Sequence, residues 1–266
     1  MIVSTLICCA ITMLQEPPDV LPEKIKTFKS LVKEREVENL MVSHVDGFLT
    51  LYNEGLVRVR EIDEELELGA DNARELSKER KALDKRLDSI ADTVWLVFKR
   101  KRETKANLDL WKAAVFAFGR MELHGAEHLW KAFGDKRFNR DVAFRTLCVE
   151  HLGFTRDYSQ DEELLDLLDY KDEQVAAAAA SALAQFGEMP GKQRLEATKQ
   201  LVKMLESYHN ASLNYEDTNA VRRYRTIRDS FLRALTAMTN QSFRDPLDWT
   251  KWWNKNKKKK ELWRDD

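Results

Sequence analysis

Apolar positions recur at helical spacing along most of the chain. Between Ile62 and Val97 the recurrence is close to heptad. Ile62, Gly69, Leu76, Leu83, Ile90 and Val97 share one position, and Leu66, Ala73, Arg80, Leu87 and Val94 share the other. Nine of these eleven are apolar, Gly69 and Arg80 being the exceptions. Such a seam with charged flanks predicts a coiled-coil-like helix. Upstream, Ile25, Phe28, Leu31, Val32, Val37, Leu40, Met41, Val45, Phe48, Leu51, Tyr52 and Leu56 form a second apolar face, spaced mostly by three or four. The economical reading of residues 21–104 is a hairpin of two long antiparallel helices, with Gly47, Gly55 and Gly69 as breaks or bends. The rival is a seam that pairs with a second chain. Short connections favour the intramolecular hairpin.

The second half carries a different pattern, an internal repeat. "AVFAFG" (114–119), "CVEHLG" (148–153) and "ALAQFG" (182–187) align, with Gly119, Gly153 and Gly187 separated by 34 residues each time. Ala114, Cys148 and Ala182 are small, Val115, Val149 and Leu183 are aliphatic, and Phe118, Leu152 and Phe186 are large. A fourth copy, "ALTAMT" (234–239), follows a longer connection and ends at Asn240. Small and large apolar residues three or four apart make the buried face of a helix. A Gly after the last apolar residue is expected to take the left-handed conformation that ends a helix, and Asn is the next-best residue for it. Cys148 reads as a small core residue. "GAEHLWKAF", "DEELLDLL" and "RLEATKQLVKMLESY" supply second helices between the copies. Paired helices at such a period predict an all-α chain with an α-solenoid, each pair burying its face against its neighbours.

The stretch "LLDLLDYKDEQVAAAAASALAQFGE" resembles a HEAT repeat. It has a Leu-rich second helix, Asp172 before the next helix, then Val175, the alanines, Ala182-Leu183 and Phe186-Gly187. Ala176 stands where the HEAT pattern usually has Arg, which weakens any inter-repeat Asp–Arg ladder. The resemblance is strong over 160–190, fair over 107–155 and 224–240, and absent over 20–100. It implies HEAT-like repeats over 105–243. "QSFRDPLDWTKWWNKNKKKK" is similar to the C-terminal closure of exported bacterial HEAT-repeat proteins, with Asn240 where that pattern has Gly. Asp245 is placed to cap a short helix that has Pro246 at its first position. Trp249, Trp252 and Trp253 then fall on one face, as a capping helix over the last repeat requires. Residues 244–266 thus read as a Trp-rich cap, with Lys257 to Lys260 as a frayed, solvated end.

Composition agrees with helix. Only nine Gly and five Pro punctuate 266 residues, too few for a many-stranded β protein. A net charge of −1 gives no general attraction to polyanions. The stretches "EIDEELEL" and "KRKRETK" read as solvated helix faces. The first 20 residues are apolar from Ile2 to Leu14 and run into Pro17, Pro18 and Pro22. That apolar run is too short to span a bilayer and suits a secretory leader, although no Lys or Arg precedes it.

Chemistry is sparse. His124 and His128 are four apart, and a shared metal would need a third ligand such as His151 or Glu122. Their string, "HGAEH", lacks the Glu that follows the first His in zinc proteases, and solvated histidines on a helix turn account for it. No glycine-rich phosphate loop, Gly-x-Ser-x-Gly or Cys-x-x-Cys occurs. The expectation is an exported, non-catalytic scaffold that binds protein partners and needs no cofactor. The alternatives are a nucleic-acid-associated HEAT-like protein, or a membrane-surface module using the apolar N-terminus and the basic, Trp-rich C-terminus.

Overall fold

A computed structural model describes residues 20–100 and 104–265. The apolar leader up to residue 19 lies outside the described residues. Those residues form eleven α-helices joined by turns and short 3-10 segments, with no strand among them. Among them no helix is long and apolar enough to cross a membrane.

The first three helices are α1 (Leu21–Leu31), α2 (Glu38–Glu67) and α3 (Ala73–Trp95). Pro22 lies in the first turn of α1, where its missing N–H costs nothing. The 30 residues of α2 run roughly 45 Å. The heptad seam does not belong to one helix. Ile62 and Leu66 close α2, the chain turns at Gly69, and Leu76 to Val94 lie on α3. Gly69 has φ +78° and open space around it, so backbone freedom is what the turn requires. Gly47 and Gly55 sit inside α2 without breaking it. Gly55 lies where a Cβ would come within 2.9 Å of Leu87 Cδ2, so the Leu87 side chain of α3 packs directly over it. Their packing is apolar around Tyr52, Val59, Leu87, Ile90 and Val94. Toward the Gly69 turn Ile62 and Leu76 stay buried and ion pairs flank them, Arg80 to Asp63 at 3.0 Å and Arg58 to Glu79 at 2.8 Å.

Four helices carry the 34-residue pattern: α4 (Lys105–Phe118), α6 (Val142–Phe154), α8 (Glu173–Leu183) and α10 (Thr218–Thr239). Thr104, Asp141 and Asp217 cap α4, α6 and α10 by accepting backbone N–H groups of the first turn. Asp172 occupies the same place before α8, but its carboxylate makes no capping bond. These helices pack in succession, α4 on α6, α6 on α8 and α8 on α10. The intervening partners are α5 (Glu122–Phe133), α7 (Asp161–Asp166), α9 (Gly191–Ser212) and α11 (Pro246–Asn256). The hairpin docks through α2 on α4 and through α3 on α5, and one apolar core runs from Leu21 to Trp249. The arrangement is all-α and consistent with a helical repeat.

The repeat glycines correct the left-handed expectation. Gly119 and Gly187 have φ of −59° and −57°, and Gly153 lies inside α6. They are needed for space. A Cβ on Gly119 would lie 2.5 Å from His151 Nδ1 in α6. On Gly153 it would lie 2.7 Å from Ala182 Cα in α8, and on Gly187 2.9 Å from the Ala237 carbonyl in α10. Each glycine therefore admits the next patterned helix. Of the four aligned positions only Asn240 takes the left-handed conformation, at φ 54°; after α6 it is Arg156, three residues past Gly153, that does so, at φ 52°.

The basic stretch near residue 100 is also not simply a solvated face. Arg100 has a side chain only 9% exposed. It donates to the Glu34 carbonyl and to Asn107 Oδ1, each at 2.8 Å, and pairs with the Glu38 carboxylate. Residues 101–103 lie outside the described residues.

Candidate functional site

Two of the sequence-derived features turn out to be packing elements. His124 and His128 both lie on α5 and are not solvated. His124 Nδ1 is 2.8 Å from the Tyr52 hydroxyl, which donates to the Met121 carbonyl at 2.5 Å. Its Nε2 is 3.2 Å from Asp84. His128 stacks against Trp95 and packs on Phe118, ring centroids 5.5 and 4.9 Å away. Burial holds it below the usual histidine range. The two imidazoles serve separate contacts, and no group of three or more His, Cys, Asp or Glu among the described residues is placed to hold a metal. Cys148 is fully buried, and burial pushes its thiol up.

At the C-terminus, Asp245 accepts the Leu247 N–H at 2.9 Å and starts α11 with Pro246 in its first turn. Trp249 is fully buried and donates its indole N–H to the Phe243 carbonyl at 3.1 Å. Trp252 and Trp253 are half-buried, and α11 packs on α9. The tail beyond it is not frayed. Lys258 to Lys260 are exposed, but Trp263 then returns to pack in T-shaped contact with Trp252 and Trp253. Arg194 donates to the Arg264 carbonyl at 2.8 Å, and the Gly191 N–H at the start of α9 donates to the Asp265 carboxylate. The docked carboxylate supplies the cap that α9 lacks from its own N-terminal residue, Pro190.

The feature suited to recognition lies elsewhere, in a cleft of about 740 Å³ between α2 and the C-terminal ends of α4 and α6. Val57 contributes from α2, Phe116 from α4 and Phe154 from α6, with exposures of 56%, 47% and 55%. Large apolar side chains this open, gathered in one concavity, mark interaction surfaces. Arg60, Arg120 and Arg156 add three guanidinium groups. Arg60 pairs with Glu122 at 2.6 Å. His151 forms part of the wall, 8% exposed, with its ring edge-on to Phe116 at 4.6 Å and tilted against Phe154 at 5.3 Å. Burial, reinforced by the Arg120 charge, lowers its pKa to about 4, so it is neutral at pH 7. A second cleft of about 800 Å³ continues past Arg156 and Gln185 to Glu188, Arg194, Asn240 and Asp265.

Of the sequence-derived positions, the clefts gather Gly119, Glu122 and His151 into the first and Gly187 and Asn240 into the second. Gly153 faces Ala182 between helices, Asp172 lies at the opposite end of α8, and the tryptophans pack at the tail. The sequence marks His151 and Glu122 only as possible metal ligands, and the apolar and arginine side chains of the cleft escaped sequence reasoning, yet a signal existed. The residue after each repeat glycine, Arg120, Phe154 or Glu188, lines the trough. No protein-family model and no curated protein sequence matches the chain.

Proposed function

We propose that this chain is a HEAT-like α-solenoid that binds other proteins without catalysing a reaction, and that it acts after export. The observation that carries this reading is the cluster of Val57, Phe116 and Phe154, half-open to solvent in one cleft at the ends of successive helices. Support for the solenoid comes from α4, α6, α8 and α10 packing in series, each step admitted by a glycine of the 34-residue period. Support for α11 as its end cap comes from Trp249, buried where the series stops.

The test is a tagged pull-down from native cells, split into nuclease-treated and untreated halves. A discrete protein partner retained after nuclease is the expected result. Partners lost with nuclease would replace this reading by nucleic-acid association. Capture that depends on anionic vesicles would replace it by a membrane-surface role through the basic tail.

A further inference from the structure

The scaffold reading leaves open what the cleft recognises. Its charge is unbalanced. Arg120 and Arg156 are exposed, and neither makes an ion pair among the described residues. Glu122, the acid among them, is engaged by Arg60. Two guanidinium forks stand beside an apolar floor of Phe116, Phe154 and Val57, and such forks match carboxylates in bidentate geometry.

His151 supplies an independent observation. Its Nδ1 is buried against Gly119 and has no hydrogen-bond partner. A neutral imidazole has a single N–H, and an unsatisfied buried donor is expensive. The proton therefore belongs on Nε2, which makes this buried wall of the cleft a hydrogen-bond donor for a carbonyl or carboxylate oxygen.

Shape and field select the class of ligand. The two clefts share Arg156 and Gln185, and together they exceed the ~300–1,000 Å³ of small-molecule sites. The C-terminal ends of α4 and α6 line the first cleft, and a helix C-terminus carries partial negative charge. A nucleic acid places a phosphate at every step and meets that field throughout. A peptide places carboxylates only where an arginine answers them.

We infer that this trough binds an extended acidic segment of a protein partner. An aromatic or aliphatic anchor of the segment rests on Phe116, Phe154 and Val57, and flanking carboxylates pair with Arg120 and Arg156. The inference rests on the protein-binding reading and sharpens it.

The experiment is selection of a phage-displayed random peptide library on the full chain. Affinity of a fluorescein-labelled consensus peptide is then measured by fluorescence polarisation. Selected sequences should place acids around an aromatic or aliphatic residue. The double variant Arg120→Glu/Arg156→Glu should bind the peptide roughly tenfold more weakly or worse for each arginine reversed. Lys258→Glu/Lys259→Glu makes the same change in net charge at the exposed tail and should bind as the parent does. Val57→Glu, exposed on α2, is the second cleft variant and should also weaken binding.

A consensus without acids, or equal binding by the parent and both cleft variants, overturns the inference. So does single-stranded RNA that competes the peptide off the cleft. The native pull-down separates this failure from that of the scaffold reading. A nuclease-resistant partner held equally by the parent and Arg120→Glu/Arg156→Glu leaves the scaffold standing and removes the cleft. A partner lost on nuclease treatment removes both.

Discussion

Replacing Gly153 by Ala tests the packing of the repeats with a single methyl group. Gly153 lies in α6 at ordinary helical geometry, so alanine there gains about 1 kcal/mol of helix propensity. Against this, the new Cβ would lie 2.7 Å from Ala182 Cα and 3.0 Å from the Ala182 carbonyl oxygen. The first contact is roughly 0.8 Å or more short of the ~3.5–4.0 Å at which carbon atoms rest. Both opposing atoms are backbone and cannot rotate away, so α6 and α8 must move apart. Overpacking of this kind costs about 1–3 kcal/mol. The expected net result is a loss of up to about 2 kcal/mol, read as a fall of up to roughly 8 °C in Tm. Gly47→Ala is the matched control. It lies inside α2, and its Cβ would meet only Lys24 Nζ at an ordinary 3.7 Å. It should gain about 0.5–1 kcal/mol. Urea unfolding followed by far-UV circular dichroism measures both. If Gly153→Ala stabilises the protein as Gly47→Ala does, α6 and α8 do not meet at this glycine, and the explanation of the 34-residue glycine column fails.

Three further outcomes follow from the buried groups. Arg100→Ala strands the largely buried Glu38 carboxylate and should cost about 3–5 kcal/mol by urea unfolding, with Arg100→Lys recovering only part of it. His151 has a folded-state pKa of about 4, below the 6.5 of an unperturbed side chain, so acid favours the unfolded chain, which takes up the proton first. Its contribution is intact above about pH 6.5 and is lost as pH falls toward 4, a few kcal/mol at most; His151→Gln should show a smaller loss of stability between pH 7 and pH 5, and an identical loss would contradict the assignment. With Cys8 and Cys9, the two other cysteines of the chain and both in its apolar N-terminal stretch, replaced by Ser, Cys148 should react with a thiol reagent only when the protein unfolds, and rapid labelling of the native chain would contradict its place in the core.

Much of the secondary structure was legible in the residue pattern because helix formation is local. Spacings of three and four located the helical regions, Asp245-Pro246 marked the start of α11, and Gly69 marked a real turn. The same local logic overreached where two helices happened to share one register. The heptad seam from Ile62 to Val97 passes through the Gly69 turn without losing phase, and only the path of the chain separates its halves.

What the sequence by itself determined was an all-helical chain, the 34-residue recurrence, a small core thiol and a Trp-bearing last helix. Each depends on neighbours within a few turns. Tertiary structure decided the rest, because the deciding partners are far apart along the chain. Gly153 answers to Ala182, and Gly187 to Ala237. Arg100 reaches back to Glu38, and the tail at Asp265 returns to Gly191. Val57, Phe116 and Phe154 meet in one cleft only because α2 docks on α4, which in turn packs on α6. A periodic pattern specifies which face of a helix is buried; which distant helix covers it depends on the shapes that fit together.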